Sequence, residues 1–263
     1  MKIKRIKLDK PKNTREFGGY PTVDGRFVRH NMLIRSGQLS KATDKDIKVL
    51  KEKYKLKTVI DLRIDAEIAE KPDNLSKDIN YIRIPLLDKA YLGITRDEYS
   101  LQSWFNLFKD EARRPEDIFF DMYEMLVFGE RSKTLIPEIF SIFSGDNEAV
   151  LWHCSAGKDR VGIVSMLILL ALGVEENVII EDFLATNRFS AGEIIKTRVF
   201  APLVIKSRWQ RKCLAILMGV KREYIVRLLT RIKNDYTDIF DFFLNVYSID
   251  KETILMLREK YLQ

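Results

Sequence analysis

The residues best suited to chemistry lie together at 153–160, His-Cys-Ser-Ala-Gly-Lys-Asp-Arg. Cys154 supplies a nucleophile. Arg160 supplies a planar fork of donors matched to two phosphate oxygens. Between them Ser155, Ala156, Gly157 and Lys158 form a small turn whose backbone N–H groups can face inward around an anion. An apolar run at 149–152 precedes the cysteine, and almost unbroken apolar sequence fills 161–172. That order reads as buried strand, tight loop and buried helix, with the positive end of the helix dipole at the loop. A thiol opening into that field is expected to act as a thiolate near neutrality. The chemistry implied is thiolate attack on a phosphate ester held in a ring of amides.

Other readings of the same loop fail on residue type. A nucleotide-binding loop needs Gly-x4-Gly-Lys followed by Ser or Thr, whereas Trp152 stands at the first glycine and Asp159 follows Lys158. A zinc site needs four ligands at recognisable spacing, and the chain has two His and two Cys, scattered. No metal and no cofactor is therefore expected.

The elements that must position these residues can be read from either side of the loop. Residues 14–37 carry dense turn chemistry (Gly18-Gly19, Tyr20-Pro21, Asp24-Gly25), and Asp24-Gly25 predicts a hairpin. Residues 32–35 read as a short strand ending at Ser36-Gly37. Thr43 reads as a helix N-cap, with Asp44 and Asp46 in the first turn and Ile47, Val49 and Leu50 facing inward. Residues 57–62 are a β-branched central strand delivering Asp61 and Arg63 at its end, and residues 80–84 a further strand ending near Asp88. Residues 89–129 show no strand alternation. Their aromatics suit short helices, forming either a lid over a pocket or ordinary helical packing. Residues 131–143 read as a helix, and the chain after Gly173 as helical to its end. The fold class is α/β: one domain over 1–263, with a mostly parallel sheet flanked by helices, a helical insertion at 89–129 and a helical C-terminal third. In such sheets ligands gather at the carboxyl ends of strands, where Asp61, Asp88 and Cys154 all fall.

Composition narrows the partners without choosing among them. The chain has 263 residues, 46% hydrophobic and 32% charged, with a net charge of +7. That charge suits acidic partners: phosphorylated substrates, an anionic membrane surface or nucleic acid. Residues 196–233 hold eleven Lys/Arg against one acid, Glu223. This run reads either as a solvated helical face or as a basic rim for polyanions and anionic lipid. No recognised nucleic-acid motif accompanies it, so no nucleic-acid partner is expected. The N-terminal alternation of basic and apolar residues predicts an edge strand and lacks a signal-peptide core. The run 161–172 is too short to span a bilayer. With a cysteine that must stay reduced, a cytoplasmic location is expected.

Residues 153–160 resemble the HCxAGKDR loop of the atypical bacterial tyrosine phosphatases. That family comprises cysteine phosphatases acting on phosphotyrosine, phosphoserine/threonine and phosphoinositides. The resemblance continues through residues 14–20 (a variant of the family's RDLGGY stretch), Arg35-Ser36-Gly37, Asp61-Leu62-Arg63 with Glu67, residues 181–187 and residues 243–257. One departure stands out: Val161 occupies the position where many cysteine phosphatases place a Ser or Thr that stabilises the departing thiolate.

The resemblance implies a phosphocysteine intermediate on Cys154, with Arg160 and the amides of Ser155, Ala156 and Gly157 holding phosphate. Asp88 and Asp159 compete as general acid. Asp88 is favoured, because it resembles the acid that follows an Ile-Pro segment in related phosphatases. His153 is expected to orient the loop, Asp61 to brace it or Arg63, and Lys158 to project as an extra cation rewarding a second phosphate. The expected partners are a phosphorylated protein or phosphoinositide, and inorganic phosphate in the loop. Val161 motivates an alternative, a catalytically weak phosphate-binding module, unless Ser155 or a backbone donor compensates for the missing hydroxyl.

Overall fold

The computed structural model describes residues 3–87, 114–145 and 148–263. Its sheet has five strands: β1 (Arg15–Glu16), β2 (Leu33–Ser36), β3 (Leu56–Asp61), β4 (Asn80–Arg83) and β5 (Ala149–His153). They lie in the order β1-β2-β5-β3-β4, parallel except for β1. All five residues of β5 are buried, as a central strand covered on both faces requires. The register places His153 beside Ser36 on one side and Asp61 on the other, with Arg83 beyond. The carboxyl ends of four strands thus meet where β5 hands the chain to residue 154.

Helices α1 (Asp44–Tyr54) and α2 (Asp65–Glu70) follow β2 and β3. Thr43 caps α1 as the sequence predicts: its hydroxyl accepts from the Asp46 N–H while the Asp46 carboxylate takes the Thr43 N–H. Before β5 come α3 (Pro115–Phe128) and α4 (Glu130–Ser144). After it the chain is helical: α5 (Asp159–Ala171), α6 (Glu176–Phe189), α7 (Ala191–Val204), α8 (Arg208–Met218), α9 (Arg222–Asp235), α10 (Ile239–Tyr247) and α11 (Lys251–Tyr261). Helix α5 is apolar around its whole circumference and nearly every residue is buried, so it forms the axis of the helical layer. Its one hydroxyl, on Ser165, donates to the Val161 carbonyl and accepts from the buried Trp152 indole.

Two expectations change. The N-terminal segment is not an edge strand: its buried residues, Ile3 and Ile6, are three apart rather than two. A single backbone bond ties Ile6 to Thr14, and β1 begins only at Arg15. Of the insertion at 89–129, residues 115–128 are the core helix α3, with Phe119, Met122, Tyr123, Leu126 and Val127 all but sealed from solvent. Residues 88–113, including Asp88 and most of the span read as a lid, lie outside the described residues. The Asp24-Gly25 hairpin is present and short: around the antiparallel Pro21–Phe27 bridge the Thr22 N–H donates to the Arg26 carbonyl and the Val28 N–H to the Tyr20 carbonyl, both at 2.9 Å, with Gly25 at φ 86°.

Candidate active site

Cys154 directly follows β5 and is buried, 3% exposed, at the start of the loop. The loop's shape is set from outside. The Ser155 carbonyl accepts from the Gln38 N–H at 3.2 Å. The Gly157 carbonyl accepts from the Asn13 amide at 2.6 Å and from Arg35 at 3.0 Å. With those carbonyls drawn outward, the N–H groups of Ser155, Ala156 and Gly157 have no acceptor among the described residues. Such a row of free amides at the start of a long helix is an anion cradle.

Gly157 is required for this turn. Its φ of 65° is left-handed, and a Cβ there would lie 2.5 Å from both the Ser36 oxygen and the Gly37 nitrogen. The loop therefore rests directly on the backbone that leaves β2.

Arg160 is anchored by a group to which the sequence alone assigned no role. Its two amino groups meet both carboxylate oxygens of Glu67, at 2.6 and 2.7 Å, and one also donates to the Leu62 carbonyl at 3.2 Å. Glu67 also accepts from the Ser155 hydroxyl at 2.5 Å and the Ile64 N–H at 3.0 Å. Burial opposes charge on Glu67, yet the Arg160 guanidinium, the Ser155 hydroxyl and the Ile64 amide together hold its pKa below the ordinary value. Burial likewise opposes charge on Arg160, and Glu67 with Cys154 pushes its pKa above the usual range. Ser155 is thus committed to Glu67. Val161, fully buried, brings no hydroxyl to the loop.

A second buried network holds the opposite side. Asp182 on α6 accepts from Arg15 at 2.6 Å, Arg35 at 2.5 Å and the Tyr20 hydroxyl at 3.0 Å, with all three partners sealed from solvent. Arg15 also donates to the side-chain oxygen of Asn13 at 2.5 Å, which aims the Asn13 amide at Gly157. Burial and the neighbouring Arg15 charge bring the Arg35 pKa down to about 10. Burial pushes the Asp182 carboxyl the other way, but Arg15 and Arg35 prevail and its pKa is lowered. The signal for Asp182 was present in the sequence: it is an acid on the buried stripe of α6 with Val178, Ile179, Phe183 and Thr186, where an unpaired charge is not tolerated.

Three expected site residues are turned away from the loop opening. Asp61 and Arg63 are sealed and bonded to each other, and Arg63 also reaches Asp73 at 2.7 Å. His153 is fully enclosed, its Nε2 3.0 Å from Asp73 and 3.8 Å from Asp61. The Asp61 carboxylate accepts from Arg63 at 2.7 Å, and all three side chains are buried. Asp61, Asp73 and His153 offer ligand atoms within 4.8 Å of one another. The Arg63 guanidinium contacts both carboxylates at 2.7 Å, so each of them already has a cationic partner.

Lys158 departs most from expectation. Its ammonium is buried against the carbonyls of Leu217 and Gly219 at the C-terminal end of α8, 3.2 Å from Asp159. It clamps the loop to α8 rather than projecting. Asp159 accepts from the Tyr123 hydroxyl through its other oxygen.

The structure also divides the basic run at 196–233. Lys221 and Arg231 pair with Glu116 and Glu124 on α3, and Lys233 with Glu176, while Arg227 stacks on Phe120. Lys196, Arg198, Lys206 and Arg208 have no acidic partner among the described residues. No helix among the described residues is long and apolar enough to cross a membrane.

A cysteine at the base of an amide-lined loop closed by a fixed arginine defines a site of the cysteine-phosphatase type. The profile of the tyrosine phosphatase family matches residues 6–263, and the chain belongs to that family. PtpB of Mycobacterium tuberculosis, named as a triple-specificity protein phosphatase, is 25% identical over 232 residues, 80% of this chain and 83% of its own. A tyrosine-protein phosphatase of Nostoc commune is 28% identical over 176 residues, 66% of this chain and 54% of its own. A Cupriavidus necator protein named as a candidate tyrosine-protein phosphatase is 26% identical over 189 residues, 71% of this chain and 64% of its own. The chain thus spans less than two thirds of the length of the last two. Among solved structures, Pseudomonas aeruginosa TpbA aligns over 60% of this chain and 71% of its own with 16% identity and a TM-score of 0.28. The catalytic domain of the yeast phosphatase Siw14 aligns over 87% and 96% with 14% identity and a TM-score of 0.32.

Proposed function

We propose that this chain is one catalytic domain that hydrolyses phosphate monoesters through a phosphocysteine. The Cys154 thiolate attacks phosphorus in line, the oxygen of the leaving group departs, and water then cleaves the S–P bond. Arg160 and the loop amides hold the three equatorial oxygens, a preorganised charge arrangement that supplies much of the rate. The observation that carries this reading is the outward anchoring of the Ser155 and Gly157 carbonyls beside an Arg160 fixed by Glu67. The leaving oxygen needs a proton. Asp159 is engaged as an acceptor on both oxygens, by Tyr123 and Lys158, which favours Asp88 as the acid. The substrate is phosphotyrosine in proteins, with phosphoserine, phosphothreonine and phosphoinositides as further substrates; the name of PtpB, a triple-specificity protein phosphatase, supports a range wider than phosphotyrosine. A reducing, cytoplasmic setting follows from the need for a free thiol.

Turnover of para-nitrophenyl phosphate, compared with a Cys154→Ser protein, tests the proposal. Turnover lost only with the cysteine supports it. Phosphate binding without cysteine-dependent turnover supports the second reading, a phosphate-binding module, which Val161 and the committed Ser155 hydroxyl favour.

The surface of α7 supports contact with an anionic membrane. Ile195, Val199, Phe200 and Leu203 form one helical stripe exposed by 59–77%, flanked by Lys196, Arg198, Lys206 and Arg208, which have no acidic partner among the described residues. Co-sedimentation with phosphatidylcholine vesicles containing phosphatidylserine, lost in Phe200→Glu and absent without phosphatidylserine, is the expected result. Equal sedimentation of both proteins removes the proposal.

A further inference from the structure

Arg15 and Arg35 stand directly opposite each other on the antiparallel pair β1–β2, and both side chains are sealed from solvent. Like charges placed opposite on a sheet destabilise it, and burial adds to the cost. One carboxylate, Asp182, serves both arginines, so the network keeps a surplus positive charge among the described residues. Arg35 brings that charge to the catalytic loop. The amino group that donates to the Gly157 carbonyl also lies 3.8 Å from where a Cβ on Gly162 would stand, in the first turn of α5. A cation at the amino end of a helix is opposed by the helix dipole. The Arg35 Nε, buried as well, has no hydrogen-bond acceptor among the described residues. Locally, then, the facing arginine, the missing acceptor and the helix end all disfavour a charge at this place.

The other cations at the loop are matched by acids. Arg160 is paired with Glu67, and Lys158 lies 3.2 Å from Asp159. Arg63 is outnumbered by Asp61 and Asp73. Among the described buried groups around the loop, the surplus on Arg15 and Arg35 is the charge left for an anion to offset. We infer that Arg35 is a positioning residue whose surplus charge, held against Gly157 and the start of α5, makes the loop select doubly charged oxyanions over singly charged ones of the same shape. The inference rests on the proposed reaction at Cys154, and it gives a part to a residue the mechanism does not use. Arg35 is wholly enclosed, so it acts through the loop backbone and through its field, not by contact with substrate. Because it is buried, salt screens that field far less than it screens a surface lysine.

The test is an NMR titration of the Cys154→Ser protein with phenyl phosphate and with phenyl sulfate. At about pH 8, some two units above the second ionisation of a phosphate monoester, the first is a dianion and the second a monoanion with the same tetrahedral head. Adding Arg35→Met removes the charge, yet leaves the Gly157 carbonyl its Asn13 donor and leaves Asp182 in a one-to-one pair with Arg15. Coulomb energy scales with the charge of the ligand, so phenyl phosphate should bind about tenfold more weakly and phenyl sulfate about threefold. Arg35→Lys keeps the charge and loses the fork, and should recover most of the phosphate affinity. Equal losses for the two ligands, unchanged affinity, or a Lys variant as weak as the Met variant each overturn the inference, because Arg35 would then only shape the loop. The Lys comparison decides the matter even where the sulfate binds too weakly to titrate. Urea unfolding of the same proteins adds a second reading: with a balanced Arg15–Asp182 pair left behind, the midpoint of the Met variant should match or exceed that of its Cys154→Ser parent. A Met variant that fails to fold overturns the surplus-charge argument. None of these measurements needs turnover, so cysteine-independent hydrolysis would sink the proposed reaction and leave the affinities to judge Arg35 by themselves.

Discussion

Glu67 grips Arg160 through both carboxylate oxygens, at 2.6 and 2.7 Å, in a pocket where neither side chain is more than 3% exposed. The carboxylate decides where the phosphate-binding fork can point, and through Ser155 it also fixes the first residue after the nucleophile. Glu67→Gln keeps the volume and loses one of the two charge-assisted acceptors. Its kcat/KM for para-nitrophenyl phosphate should fall between tenfold and about 10²-fold, the usual consequence of misplacing a catalytic group by a fraction of an ångström. Alkylation of Cys154 by iodoacetamide should remain measurable. Undiminished kcat/KM would show that Arg160 needs no such anchor.

Asp182 is the one carboxylate shared by two wholly enclosed arginines. Asp182→Asn leaves Arg15 and Arg35 as buried, uncompensated charges, and breaking a pair of that kind costs about 3–5 kcal/mol. Urea unfolding should show the loss as a lower midpoint. Because Arg35 also holds the Gly157 carbonyl, the surviving folded protein should bind vanadate more weakly.

Gly157→Ala puts a methyl group against the Ser36 carbonyl and the Gly37 nitrogen in a left-handed turn. The loop must shift to admit it, so activity should be nearly abolished at a stability cost of about 1–3 kcal/mol. Kinetics paired with thermal unfolding separate the two effects. Wild-type activity would mean that the loop's curvature does not matter to catalysis.

Acid should destabilise the fold through the two anchoring carboxylates. Glu67 and Asp182 both have pKa values lowered on folding, so each contributes stability above its unfolded value. That contribution shrinks once pH drops below about 4 and is lost as pH falls through the lower folded values. Denaturant midpoints measured from pH 7 down to pH 3 should fall in this window. The gap between wild type and Asp182→Asn should narrow there, and a gap that persists unchanged would contradict the assignment.

The strand–loop–helix around Cys154 was legible because its parts are contiguous: a buried strand, a turn of small residues and an apolar helix declare themselves by pattern. The anchors were not, because Glu67 and Arg160 lie 93 positions apart and Arg15 and Asp182 lie 167 apart. Spacing along the chain carries no trace of such a pairing, although each buried acid on an apolar face required some cation. Lys158 shows the opposite failure. Its place in the loop suggested contact with substrate, but the carbonyl end of α8, unseen in the local sequence, takes its ammonium. The N-terminal alternation misled for a related reason. Two buried isoleucines three apart fit an extended segment laid over the core, and ladder hydrogen bonds were never implied.

The most direct test of the account is acid-quench trapping of the enzyme during turnover of a radiolabelled phosphotyrosine peptide, followed by mapping of the labelled fragment. A phosphoryl group on the fragment holding Cys154, absent from the Cys154→Ser protein, is the predicted result. Turnover that proceeds with no label on that fragment, and persists in Cys154→Ser, would contradict the account.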